Sequence, residues 1–356
     1  MIRRTILLAL VTTAWLGLGH LAHASVTGVC SNCHTMHNSQ GGNGVVVGGG
    51  GPQSALLVTT CVGCHQGRNT SNSETPYVFD PNGPTYGTTG TETNTNTLAG
   101  GNFYWVSMGN DASGHNVQGI AGQDSRHGNT PPGGSALPAQ LTCAGAYGCH
   151  GDRTILDQAK SIAGGHHNHQ VSGWKSGASI EESYRFLLGI KGLESASYEY
   201  HPTTTDHNKY YGIDRSVETD TATGSISSLC AQCHGQFHDG SGEMIPTGSS
   251  FGSGIWLRHP TDFDMSRAVA RRQEYEAYNG GTGTDNPYSV VSPVATADTT
   301  TNLNTTVFSQ SDDAIVMCLS CHRAHGTPYD AILRWDYKSW PGGGYNGCAV
   351  CHTSKD

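Results

Sequence analysis

The sequence predicts a mostly irregular chain with short helices, folded around bound groups that supply the interior its own side chains cannot. Three observations lead there. Hydrophobic residues are only 35% of the 356 and glycine alone accounts for 49, too little apolar material for the two or three packed cores this length would ordinarily hold. The stretches 41–51, 85–101 and 296–306 are dense in turn-forming residues and read as loops. Finally, all twelve cysteines fall in six short motifs at uneven spacing, which excludes a solenoid built on a fixed period. Disorder fits poorly, because charged residues are only 13% and the chain carries 15 Tyr and 6 Trp. The best helical stretches, 180–190 and 265–278, are short.

Residues 1–24 read as a secretory signal peptide. Arg3 and Arg4 precede an apolar run over 6–19, and Ala22-His23-Ala24 gives the small-x-small cleavage pattern. The run is shorter than the ~20 residues of a membrane-spanning helix, and Thr27-Gly28-Val29 before Cys30 is not a lipobox. The expectation is an exported body, 25–356, with no membrane insertion. Without Arg3 and Arg4 it carries 17 Lys and Arg against 28 Asp and Glu. Such an acidic chain repels phosphate backbones, so nucleic acid is excluded as a partner.

The cysteines carry the chemistry. Cys30/Cys33/His34, Cys61/Cys64/His65, Cys230/Cys233/His234, Cys318/Cys321/His322 and Cys348/Cys351/His352 are each C-x-x-C-H, and Cys143/Cys149/His150 is a stretched C-x₅-C-H. Two thiols three residues apart lie on one side of a helical turn, where they can add to the two vinyl groups of a haem edge. The next residue then turns its imidazole to the iron. C-x-x-C-H is the signature of c-type haem attachment, so the motifs imply six covalent haems with proximal ligands His34, His65, His150, His234, His322 and His352. Disulfides need no His after every second Cys. Zinc sites combine two Cys pairs without an obligatory adjacent His. A thioredoxin-like motif needs a βαβ context that is missing here. For the stretched motif, a Cys143–Cys149 disulfide is the alternative.

Eleven histidines remain in 25–356: His37, His115, His127, His166, His167, His169, His201, His207, His238, His259 and His325. They suffice for a second axial ligand on every iron. Methionine is the rival, with Met108, Met244 and Met265 available, while Met36 and Met317 sit beside motif residues and read as packing. His37 and His325 follow their motif histidines by three and His238 by four. Residues so spaced share one side of a turn, whereas axial ligands stand on opposite faces of the macrocycle. Each should therefore ligate a haem other than the one beside it. The sequons at Asn69 and Asn304 are weak signals in a bacterial-looking chain.

The stretch 30–39 (CSNCHTMHNS) resembles the OmcS-type extracellular cytochrome filaments, the nanowire cytochromes of metal-respiring microbes. So do Gly114-His115-Asn116, 230–238, Leu257-Arg258-His259-Pro260, 318–325 (CLSCHRAH) and 348–356, in the same order along the chain. The resemblance implies a secreted, extracellular or cell-surface homopolymer, reached through the periplasm, whose bis-histidine haems stack alternately parallel and perpendicular. It implies that His37 ligates a haem of the next subunit, and that His115, His238, His259 and His325 are distal ligands. Other multihaem cytochromes and extracellular electron acceptors would be its partners. One departure stands out: Cys149-His150-Gly151-Asp152-Arg153 lacks the family's second His after the third motif. His167, or else His166 or His169, would take its place.

Two further readings stay open, a monomeric periplasmic or surface shuttle and a multihaem oxidoreductase of a small nitrogen or sulfur compound. The second needs an open iron, and six motifs ending in His with spare histidines argue against one, so electron transfer and not catalysis is expected. The intact mass of the denatured, exported protein should show six haem increments. Five would mean that Cys143 and Cys149 carry none.

Overall fold

Polar side chains hold much of this backbone where longer chains of helical or sheet hydrogen bonds would otherwise do so. The computed structural model describes residues 26, 29–35, 39–40, 43–44, 56–87, 95–171, 173–215, 223–235, 259, 261–269 and 275–353. The expected signal peptide, residues 1–24, lies outside them. Among the described residues every strand is two residues long and the longest α-helix has six. The chain is mostly coil with short helices, as its composition predicts.

The helices are α1 (Cys61–His65), α2 (Tyr104–Ser107), α3 (Gln158–Ser161), α4 (Gly165–Asn168), α5 (Ile226–Ala231), α6 (Ser266–Val269) and α7 (Cys318–Cys321). The strands β1 (Ser39–Gln40) and β2 (Asn43–Gly44) pair as a hairpin. Antiparallel β3 (Trp174–Lys175), β4 (Gly192–Leu193) and β5 (Lys209–Tyr210) form a three-stranded sheet in that order. Two more antiparallel pairs join β6 (Phe263–Asp264) to β9 (Ile315–Val316) and β7 (Asn286–Pro287) to β8 (Thr306–Val307).

Backbone groups outside these elements still need partners, and Asn and Asp supply them. Asp313, fully buried, accepts from the N–H groups of Phe308, Ser309 and Gln310. Asn286, also fully buried, donates to the carbonyls of Glu276 and Tyr278 and accepts from the N–H groups of Thr282 and Gly283. Asn102 accepts from the N–H groups of Asp80 and Tyr104. A sequence rich in Asn, Asp, Ser and Thr folds this way because their side chains imitate backbone partners.

The apolar residues collect in three small clusters. Two meet at 314–317. Ala314 and Val316 face the cluster around Tyr278, Tyr288 and Val307, while Ile315 and Met317 face the one around Tyr184, Tyr210 and Leu229. That is the alternation of an extended strand, and it delivers Cys318 directly from two buried faces. Met317 packs in its cluster, and so does Met265, whereas Met108 is 70% exposed.

The helix expected at 180–190 is absent. A 3-10 turn, Tyr184–Phe186, stands there with Arg185 and Phe186 at φ 50° and 59°. Tertiary hydrogen bonds override the local preference: Arg185 N–H donates to Glu194 Oε1, and Phe186 O accepts from Gly151 N–H. Of the expected 265–278 helix, α6 is present, 270–274 lie outside the described residues, and Tyr278 begins a 3-10 turn.

Close backbone contacts tie the middle of the chain to its end. Gly101 pairs with Gly326, and His115 N–H donates to His325 O. At Gly101 (φ 84°) a Cβ would stand 2.0 Å from Gly326 O; at Gly119 (φ 89°) it would meet nothing. Gly119→Ala should cost about 1 kcal/mol from left-handed strain alone. Gly101→Ala should cost more than about 2 kcal/mol, read as the difference in denaturant midpoint followed by circular dichroism.

Candidate functional site

The first cysteine of each motif anchors the turn that carries its histidine. His34, His234, His322 and His352 donate their N–H to the carbonyls of Cys30, Cys230, Cys318 and Cys348 at 2.8–3.0 Å, and α1 spans Cys61–His65. The stretched motif does the same. Cys149 and His150 both donate to Cys143 O, at 3.3 and 3.1 Å, and the inserted residues loop out through Thr142 N–H to Tyr147 O. Gly145 (φ 80°) permits this bulge, since a Cβ there would lie 2.6 Å from Ile155 O. All twelve cysteines are unbridged.

Five motif histidines each face a histidine from outside the motifs. Ring centroids are 6.1 Å apart for His34 and His167, 6.2 Å for His65 and His166, and 6.4 Å for His150 and His325. They are 6.3 Å apart for His234 and His115 and 5.9 Å for His352 and His259. These separations test the fit of a haem iron. A metal–imidazole bond of about 2 Å, with roughly 1.1 Å from nitrogen to ring centre, sets two trans ligands about 6.2 Å apart. The residues fit. The interplanar angles, 15° to 79°, do not matter to it, because the rings can rotate about their common axis.

Hydrogen bonds to backbone carbonyls orient the rings. Nδ1 of His65, His150, His234 and His322 lies 2.7–2.9 Å from the carbonyls of Pro76, Arg185, Pro132 and Ala331. His115 Nδ1 lies 2.7 Å from Ala324 O. With Nδ1–H donating, the lone pair sits on Nε2, which is left free to bind a metal. Two of these bonds use one device. Arg185-Phe186 and Ala331-Ile332 are consecutive left-handed residues. The first carbonyl of each receives the imidazole, and the second receives the N–H of the residue after the motif, Gly151 or Arg323. Left-handed backbone at ordinary residues costs about 1–2 kcal/mol each, and here it aims two carbonyls at one motif.

Burial disfavours the charged form of three of the facing rings. It pushes His115 and His166 down to about 4, helped by the opposed His234 and His65, and His325 down to about 3, helped by His150. A neutral imidazole is the form that binds metal.

His166 and His167 both face motif histidines, although the sequence had offered them as alternatives. His169, the third alternative, does not. Its Nδ1 lies 2.8 Å from Glu181 O and its Nε2 2.6 Å from Glu194 Oε2. His201 Nε2 bonds Thr95 O, His207 stacks on Tyr288 and His127 is exposed. His37 and His238 lie outside the described residues. Among the described residues His322 faces no histidine ring.

Sequence reasoning left the order of the motifs open; their cysteines supply it. Cys64 neighbours Cys33, Cys143 donates a hydrogen bond to Cys61, and Cys149 neighbours Cys233. Cys230 bonds Cys318, and Cys321 neighbours Cys348 and Cys351. Each motif adjoins the next in chain order. The Cys143 bond draws the Cys61 thiol down to about 7, whereas burial pushes Cys149 and Cys351 up to about 11 and 12.

Residues 312–356 match the family model of the doubled CXXCH motif. The C-type cytochrome OmcS of Geobacter sulfurreducens is 26% identical over 362 aligned residues, 88% of this chain and 80% of that one. The chain resembles the OmcS-type multihaem cytochromes. Two solved structures of that bacterium's OmcS, described as an outer membrane cytochrome S filament and as nanowires, are 20% and 22% identical. Each alignment covers 88% of this chain and 85% of the other, with TM-scores of 0.46 and 0.47. Among the described residues no helix is long and apolar enough to cross a membrane.

Beyond the facing histidine pairs lies a buried ion cluster. Glu194 bonds His169, and Arg185, stacked 4.6 Å over Tyr198, lies 3.7 Å from the same carboxylate. Burial pushes the Glu194 carboxyl up, but His169 and Arg185 outweigh it and hold it below the ordinary range. A carboxylate lowered on folding contributes stability above its unfolded pKa, and that stability is lost as pH falls through the folded value. Glu194→Gln should therefore cost about 1–3 kcal/mol near pH 6. The gap from wild type should close below about pH 4, read as urea midpoints across pH.

Proposed function

We propose that this chain is an exported electron-transfer cytochrome that holds six covalent c-type haems, each between two histidines, and assembles into an extracellular conductive filament. The observation that carries the reading is the set of five histidine pairs at iron-spanning separation, on motifs that adjoin one another in chain order. When bound, the haems supply one-electron redox chemistry.

The chain's own residues do the rest. The twelve cysteines, Cys143 and Cys149 included, tether the macrocycles, and His34, His65, His150, His234, His322 and His352 hold the irons from one side. His167, His166, His325, His115 and His259 hold five of them from the other. Adjacent residues serve adjacent sites: His166 and His167 answer to the second and first motifs. His325, three residues from His322, answers to the third. Such sharing draws neighbouring sites together, which electron hopping requires. Ligation on both sides leaves no open iron for a small substrate, so the reading is electron transfer and not catalysis.

His322 needs a partner, and two candidate ligands remain, His37 and His238. We assign it His37 of a second copy. His37 is the 13th residue of the expected mature chain, which begins at Ser25, and so lies near a chain end from which a neighbour could be reached. Acceptors outside the cell and other multihaem cytochromes would exchange electrons with the filament.

His37→Ala should leave six haems attached, since no thioether is touched, while one haem turns high-spin and filaments in the secreted fraction are lost to electron microscopy. His238→Ala should leave both properties unchanged. Normal filaments with six low-spin haems in His37→Ala would return the chain to a soluble shuttle.

A further inference from the structure

The residue after the third motif that ties it to the fourth is a cation. Arg153 follows His150 by three, the spacing at which the first and fifth motifs carry His37 and His325. A side chain so placed shares one side of the turn with its motif histidine and is free to meet a different motif. Arg153 does so. Its guanidinium donates from Nη1 to Gln232 Oε1, and its Nη2 lies 3.8 Å from Cys233 Sγ, a weak acceptor. Both partners belong to the run Cys230–His234, which α5 delivers at its C-terminal end. The run is otherwise fixed by Pro132 O on His234 Nδ1 and by Gly134, where a Cβ would stand 1.7 Å from Cys233 O.

The positive charge is not neutralised there. Asp152, its neighbour in the chain, turns its carboxylate to the N–H and hydroxyl of Thr154, at 2.8 and 2.7 Å. Among the described residues no carboxylate pairs with Arg153, and its Nε is buried without a partner. A guanidinium stays ionised at any pH the fold survives, and away from bulk water its field is screened less. That field falls on two motifs. Cys149 neighbours Cys233, and Arg153 opposes the upward push that burial gives the Cys149 thiol. These thiols stand where the haem reading places thioether sulfurs.

We propose that Arg153 is a positioning residue that clamps the third motif to the fourth and holds a positive charge at the thioether edge of the fourth haem, raising the potential of its iron. The inference rests on the haem reading above. The oxidised iron carries one more positive charge than the reduced one, so a nearby cation disfavours it. The motifs adjoin in chain order, which puts this junction at the middle of the row. An electron is therefore held more firmly there than it would be without Arg153.

The test uses the full exported protein with Arg153→Gln and Arg153→Lys. Peptide masses after digestion give the haem on each motif, absorption spectra the spin state, and optical potentiometric titration at pH 7 the potentials. Arg153→Gln should keep its haems and stay low-spin. The share of the titration that belongs to one haem should move to lower potential. Its reduction equilibrium should fall roughly three- to thirtyfold, which is about 30 to 90 mV at 59 mV per factor of ten. Arg153→Lys keeps the charge without the planar fork and should restore most of the shift. An unchanged titration in a loaded, low-spin Arg153→Gln protein would overturn the proposal. So would a shift that accompanies a haem turned high-spin, since a lost ligand would then be its cause, or a shift that Arg153→Lys does not restore. Wild-type peptides bare of haem at Cys230 and Cys233 would defeat the haem reading at the fourth motif, and the proposal with it. Should Arg153→Gln fail to fold, Gln232→Ala decides. It releases the guanidinium toward solvent, so the share of one haem should fall part of the way, and no shift counts against the proposal.

Discussion

Two imidazoles can grip one metal from opposite sides only if each turns a ring nitrogen with its lone pair inward and the rings stand about 6 Å apart. The chain must therefore hold both ends of a gap that its own side chains do not fill. A Leu-rich core would close such gaps by collapse. Here the apolar residues sit in three small clusters between the motifs, and the facing rings are held from behind by carbonyls that fix their tautomer.

That requirement accounts for the irregular backbone. A carbonyl inside a long helix or ladder is already engaged and is less available to an imidazole. Left-handed pairs such as Arg185-Phe186 and Ala331-Ile332 free two successive carbonyls and aim them at a motif. The strain is local, and it is offset where polar side chains take over the backbone's remaining needs. The Glu194 carboxylate accepts from Arg185 N–H, and Asn208 accepts from the Arg185 guanidinium. The same cluster keeps His169 occupied, so the run 166–169 presents two rings to motif histidines and withholds the third.

The electrostatics follow from the same arrangement. His115 and His166 stay neutral because burial and the facing His234 and His65 both disfavour their charged form. Cationic side chains are buried only with carbonyls or carboxylates around them, as at Lys209 and Arg323. Arg334, beside Cys321, departs from that rule, its Nε and Nη1 having no hydrogen-bond partner.

By itself the sequence determined the attachment chemistry and the lack of long elements. The two thiols and the imidazole of a motif lie within five residues, so their relation is local and a turn is enough to produce it. The stretched motif needed more. Only the hydrogen bonds of Cys149 and His150 to Cys143 O make it equivalent to the others. Local spacing could also say that His325 does not answer to His322, but not that it faces His150, 175 residues earlier. That choice, like the pairing of His115 with His234, depends on backbone contacts such as Gly101 with Gly326 and His115 with His325 O. The tertiary structure decided between His166, His167 and His169 for the same reason. Three neighbouring imidazoles are chemically alike, and only what stands opposite each one separates two rings that face motif histidines from a buried ion pair.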